Sequence, residues 1–144
     1  GAWRPPEPVA AALLDAPCSA TGTLRRHPDI ARLKGPGEIP SLAVLQNRLL
    51  AAAAEMLAPG GRLIYAVCSL LPEEGPARIA ALLETGAPLV REPIAAPEIA
   101  GEIAAEIAGL GELITPEGDL RSLPSQLPDL GGLDGFYVCR LRRL

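Results

Sequence analysis

A chain of 144 residues with a formal charge of −4 has room for one domain with a modest core and, taken whole, does not advertise nucleic-acid binding. Apolar residues make up 49% and aromatic ones only 3%, so an aliphatic core is expected, with little left for aromatic stacking platforms. The chain carries no bilayer-spanning run, no signal-peptide pattern and only one histidine beside three scattered cysteines, which excludes a disulfide framework and a zinc site and predicts a soluble, cytoplasmic protein with free thiols and no metal.

Residues 1–8, rich in proline, read as a linker or boundary segment. Residues 9–14 form an unbroken apolar run closed by Asp15-Ala16-Pro17-Cys18, which suits a strand buried on both faces of a parallel sheet. A polar loop punctuated by Gly and Pro follows over 19–37, carrying Arg25, Arg26, His27, Arg32 and Lys34. The helical spacing of Leu42, Leu45, Leu49, Ala53 and Met56 predicts a helix with Ser41 as its N-cap, stopped by Pro59-Gly60-Gly61. Residues 62–67 read as a second short strand ending at Cys68-Ser69. Glu73 and Glu74 stand where a helix through Leu83 would begin, favourable for the positive end of its dipole, and Gly86 ends it. The pattern weakens after 89–92. Residues 96–110, with their Ile-Ala pairs, read as a helix, and Thr115-Pro116-Glu117-Gly118 as a turn between two extended pieces. Residues 135–141 alternate as a final, antiparallel strand, with Cys139 inside it as packing. Strand, helix, strand, helix in this rhythm predicts an α/β fold with a parallel sheet.

In open α/β sheets ligands bind beyond the carboxyl ends of the strands, and successive parallel strands are usually neighbours. Cys18 and Cys68 each fall immediately after a predicted strand, so their thiols should meet on one rim, facing a common cleft. Either cysteine alone reads as readily as a small buried hydrophobe. Asp15 at the strand end suits a ligand contact or an Asx-turn closing the strand. The Arg25, Arg26 and His27 cluster suits phosphate groups or a solvated loop.

Leu13-Leu14-Asp15-Ala16-Pro17-Cys18-Ser19-Ala20-Thr21-Gly22, followed by Arg25-Arg26-His27-Pro28-Asp29-Ile30, closely resembles the fourth motif of the RsmB/NOL1/NOP2/Sun family of RNA (cytosine-5)-methyltransferases. Tyr65-Ala66-Val67-Cys68-Ser69-Leu70-Leu71-Pro72-Glu73-Glu74 resembles that family's sixth motif. Leu45-Gln46 and Gly132-Leu133-Asp134-Gly135-Phe136-Tyr137 also look like family features. The resemblance implies the C-terminal half of a Rossmann-like, S-adenosylmethionine-dependent methyltransferase fold, with a mainly parallel sheet and a final antiparallel strand. Residues 9–144 would then be a partial catalytic domain.

It implies further that Cys68 is the nucleophile that adds to carbon 6 of cytosine, that Cys18 assists breakdown of the covalent intermediate, and that Asp15 contacts the cofactor. Arg25 and Arg26 are the expected RNA contacts, and the motif wording resembles the small-subunit ribosomal RNA branch. Two positions depart from the pattern: Val67 stands where threonine is usual, and Gly75 where asparagine often follows the paired glutamates. The family's Gly-rich cofactor loop has no counterpart before residue 9, so the resemblance implies a fragment that binds S-adenosylmethionine weakly or not at all and hides an exposed sheet edge by self-association. A non-catalytic half-domain acting as an interaction module is the alternative. A thiol hydrolase would need a histidine base, and only His27 is available.

Overall fold

The computed structural model describes residues 3–101 and 106–144. Five strands form one sheet: β1 (Val9–Asp15), β2 (Leu57–Val67), β3 (Leu89–Arg91), β4 (Leu120–Ser122) and β5 (Phe136–Arg143). Their order is β1-β2-β5-β3, with β4 also paired to β5. The β1–β2 ladder is parallel, and β5 pairs antiparallel with β2, β3 and β4. Four strands therefore run one way and the last strand opposes them all, the mixed α/β arrangement expected of a Rossmann-like C-terminal half.

The helices are α1 (Ile30–Leu33), α2 (Ile39–Met56), α3 (Pro76–Glu84) and α4 (Ala96–Ala100). The longest, α2, starts two residues before the expected N-cap: Ser41 lies inside it, its Oγ donating back to the Glu38 carbonyl at 2.8 Å. Its buried residues are Gln46, Leu50 and Ala53, whereas Leu45 is half-exposed and Val44 exposed. The buried face is thus rotated from the one read off the leucines, because a polar residue with a partner in the core takes an inward position. Pro59-Gly60-Gly61 does not end the helix. It lies within β2, where the register jumps from Val9↔Leu57 to Ala11↔Arg62, and Gly60 takes the positive φ of 77° that this irregularity needs.

Helix α3 begins at Pro76, a residue suited to the first helical position, so Glu73 and Glu74 precede it. The helix expected over 96–110 is shorter: α4 ends at Ala100, Gly101 follows at φ 56°, and Leu110–Leu113 is a separate tight turn. Residues 102–105 of that expectation lie outside the described residues. The Thr115 turn forms as expected, with the Gly118 N–H donating to the Thr115 carbonyl and a bridge between Ile114 and Leu120.

One face of the sheet is packed by α2 and α3. Leu63, Tyr65 and Val67 of β2 alternate inward with Cys139 and Leu141 of β5, against Leu50, Ile79 and Leu82 of the helices. The opposite face is barer, and Leu13 on the edge strand β1 is 73% exposed. Among the described residues no helix is long and apolar enough to cross a membrane.

Candidate active site

Because β1 and β2 are parallel neighbours, the segments leaving their carboxyl ends rise side by side. The Ala16 N–H extends the ladder one step by donating to the Ala66 carbonyl at 2.9 Å. Pro17 then turns the chain, and Cys18 faces Cys68, the first residue after β2. The two sulfurs are 3.5 Å apart, in hydrogen-bonding contact, and both side chains are half-buried. The common rim is as the strand order requires. The cleft between the thiols is not: at this separation no pyrimidine ring fits between them.

The turns that carry the thiols converge on a carboxylate. Glu74 is fully buried, and its oxygens accept hydrogen bonds from the Ser19 N–H at 2.9 Å, the Ser19 hydroxyl at 2.5 Å, the Ser69 hydroxyl at 2.6 Å and the Gln46 side-chain amide at 3.1 Å. The same Gln46 amide donates to the Pro17 carbonyl at 2.9 Å, and the Tyr65 hydroxyl donates to the Glu74 carbonyl at 2.6 Å. Thr21 closes the cluster by accepting from the Leu70 N–H at 3.0 Å. Glu74 thus stands just before α3, close to where the sequence places it, but its carboxylate is buried and held by four donors. Pro76 was the available signal, since a helix starting there leaves Glu74 in the turn before it.

Burial pushes the Cys18 thiol up to about 12, with the Cys68 sulfur and the Glu74 carboxylate adding to the effect and a backbone hydrogen bond from Ala20 opposing it. Cys18 therefore keeps its proton at neutral pH. Burial likewise pushes Cys139 up, inside the core and away from the rim.

Asp15 ends β1 on the exposed side, and among the described residues its carboxylate makes no hydrogen bond or ion pair, so no Asx-turn occupies it. A free carboxylate at a strand end can accept hydrogen bonds from ammonium or hydroxyl groups of a ligand. Arg25 and Arg26 are exposed but engaged: Arg25 donates to the Gly131 carbonyl at 2.6 Å, and Arg26 pairs with Asp134. Both tie the loop after Cys18 to the loop before β5. Two departures from the motifs also have local reasons. Val67 is fully buried in the core, and a Cβ on Gly75 would lie 2.9 Å from the Tyr137 ring. Among the described residues no cluster of three or more His, Cys, Asp or Glu could hold a metal ion. A cavity of about 580 Å³ beside Ile107, Gln126 and Leu130 is lined by neither cysteine nor Asp15.

The family described as 16S rRNA methyltransferase RsmB/F matches residues 4–142. Ribosomal RNA small subunit methyltransferase B of Pseudomonas putida is 44% identical over 142 residues, which cover 99% of this chain and 28% of that protein. A solved methyltransferase homolog protein from Pyrococcus horikoshii superposes with a TM-score of 0.65 at 28% identity, over 96% of this chain and 40% of that one. NSun6 from Pyrococcus horikoshii, solved with SFG, superposes with a TM-score of 0.64 at 25% identity, over 91% of this chain and 29% of that one. The chain thus spans well under half the length of each.

Proposed function

The chain belongs to the RsmB/F family of 16S rRNA methyltransferases, and from that premise we propose that residues 9–144 are the C-terminal part of a cytoplasmic catalytic domain that methylates carbon 5 of cytosine in small-subunit ribosomal RNA. The observation that carries the proposal is the 3.5 Å contact between Cys18 and Cys68 at the ends of adjacent parallel strands.

Carbon 5 of cytosine is a poor nucleophile. The Cys68 thiolate adds to carbon 6, forming the sulfur–carbon bond and moving electron density onto carbon 5. S-adenosylmethionine, when bound, supplies the electrophilic methyl group, and Asp15 is this chain's contact for it. Once carbon 5 carries the methyl group, its proton passes to a water molecule, the ring electrons return, the sulfur–carbon bond breaks and Cys68 leaves as a thiolate. Cys18, which holds its proton at neutral pH, donates its S–H to that departing sulfur. A thiolate that leaves into a hydrogen bond is a better leaving group, so Cys18 favours release of product. Arg25, whose partner is a neutral carbonyl, keeps its charge for an RNA phosphate, and Arg26 steadies the loop.

The relatives named for rRNA small subunit methylation support the substrate, and SFG, an analogue of S-adenosylmethionine, on the NSun6 neighbour supports the cofactor. The rest of the cofactor site is assigned to sequence outside this chain, so the isolated chain binds S-adenosylmethionine weakly. The test uses the whole gene product with small-subunit RNA. Cys18→Ala accumulates a covalent protein–RNA complex on denaturing gels and Cys68→Ala forms none. The reverse pattern would overturn the roles, and no complex with either variant would overturn the adduct.

A further inference from the structure

A carboxylate with no exposed surface is expensive unless every lone pair is used, and Glu74 is held without any cation among its hydrogen-bond partners. Its four donors come from three separate parts of the chain. Oε2 accepts the hydroxyls of Ser19 and Ser69, Oε1 accepts the Gln46 amide from α2, and the Ser19 N–H is shared between Oε1 at 2.9 Å and Oε2 at 3.2 Å. Ser19 follows Cys18 and Ser69 follows Cys68. The two hydroxyls also lie 3.3 Å from each other and both reach Thr21 Oγ1 at 3.3–3.4 Å, but their contacts to Glu74 are the shortest, at 2.5 and 2.6 Å.

We infer that Glu74 is a positioning residue for the thiol pair: by gripping the residue after each cysteine, it fixes the distance between the two sulfurs. The β1–β2 ladder brings the two turns to the same rim but ends at the residues before them, and the Gly22 N–H to Cys68 carbonyl and Leu70 N–H to Thr21 hydroxyl bonds join the turns further along. The carboxylate supplies the constraint directly beside the two sulfurs, and Gln46 holds it against α2 while steadying Pro17 from the same amide. The inference rests on the proposed reading only in taking the thiol pair to be the reactive centre.

The two oxygens set different demands on a replacement. At Oε2 an amide NH2 can donate to both serine hydroxyls, which accept as readily as they donate, while a carbonyl at Oε1 still accepts from Ser19 and Gln46. Glu74→Gln therefore keeps most of the grip, losing only the longer arm of the Ser19 N–H bond, and removes the charge. Glu74→Ala removes both.

The experiment uses the 144-residue chain, without RNA or cofactor, and diamide as oxidant. The Cys18 and Cys68 thiols give up two electrons and two protons to form the disulfide, and the diamide nitrogen–nitrogen double bond is reduced to the hydrazine. Mass spectrometry of the Cys18–Cys68 peptide pair follows the closure rate. Glu74→Ala should slow closure by about tenfold or more, since a misplacement near 1 Å weakens such encounters strongly. Glu74→Gln should restore it to within about threefold, hydrogen bonds to a neutral amide being somewhat weaker. The same Gln variant should move Cys18 alkylation to lower pH, because a negative charge has left its surroundings. Closure at the original rate in Glu74→Ala, with Cys139 still protected from alkylation, would overturn the inference. Should that variant not fold, the Ser19→Ala/Ser69→Ala pair removes only the two hydroxyl contacts, and unchanged closure there would overturn it equally. Since no methyl transfer is read, either result leaves the Cys68 adduct experiment to stand or fall by itself.

Discussion

Gly22 and Gly135 meet backbone to backbone: the Gly135 N–H donates to the Gly22 carbonyl at 2.8 Å, while the Gly22 N–H donates to the Cys68 carbonyl at 3.0 Å. The loop after Cys18, the turn carrying Cys68 and the entry to β5 are thereby joined through one residue. A side chain at Gly22 would overlap the Gly135 carbonyl oxygen, and one at Gly135 would run into Leu70 and stand 2.9 Å from the Gly22 Cα. Gly22→Ala is expected to destabilise the chain by about 1–3 kcal/mol, the range for forcing atoms into a packed space. A urea midpoint equal to that of the parent would contradict it. The same substitution should loosen the thiol contact, read as slower diamide closure.

The raised Cys18 thiol sets a pH window. With the folded value near 12 and the ordinary value at 9.0, the unfolded chain loses this proton first as pH rises. Between those values the folded state binds more protons than the unfolded one, so stability contributed by Cys18 is full below 9.0 and falls progressively toward about 12. The raised Cys139 adds to the fall with the same sign. Urea midpoints measured through this alkaline range should decline, and Cys18→Ala should decline less steeply. An identical slope in that variant would argue that Cys18 titrates as an ordinary thiol. Iodoacetamide should also leave Cys18 largely unmodified at neutral pH.

The rim was legible in the sequence and its support was not, for a physical reason. Short apolar runs ending in Asp15-Ala16-Pro17-Cys18 and Cys68-Ser69 mark strands and their ends directly, because a strand buried on both faces can contain little else. Gln46 and Glu74 carry no such mark. Hydropathy places polar side chains outward, and only knowledge of each partner's position makes their burial affordable. The same limit explains α2, where the leucine spacing chose a face including Leu45 while the structure turned Gln46 inward. In 96–110 the alternating Ile-Ala pairs suggested continuous helix, yet Gly101 adopts a positive φ that a helix cannot continue through.

Arg25 and Arg26 should separate in their effects. Arg25 meets only a carbonyl, so in the whole gene product Arg25→Ala is expected to reduce the salt dependence of RNA binding by about one counterion. Arg26 pairs with Asp134, whose side chain is 12% exposed and whose Oδ1 is buried without a hydrogen-bond partner. Arg26→Ala leaves that carboxylate uncompensated, costing about 1–3 kcal/mol of stability, and should change the RNA salt slope little. Filter binding across a salt series, beside urea unfolding, reads both quantities. Equal salt slopes for parent and Arg25→Ala would remove Arg25 from the RNA surface.

The outer edge of β1 should govern how the isolated chain behaves. Along β1, Ala12 and Leu14 pack against the core, so Leu13 projects from the opposite face, where it is 73% exposed. β1 pairs only with β2 within the sheet, which leaves the N–H and C=O groups of its far side without a strand partner. An apolar residue beside an unpaired edge is a template for a second strand. The 144-residue chain is therefore expected to sediment above its monomer mass at high concentration. Leu13→Lys should shift it toward monomer, because a charge on that face is solvated in the monomer and must lose water in the pair. The substitution touches neither thiol, so Cys18–Cys68 closure by diamide should be preserved in it. A parent chain that sediments as a monomer at every concentration, with β1 amides protected from exchange, would show that the edge is covered from within.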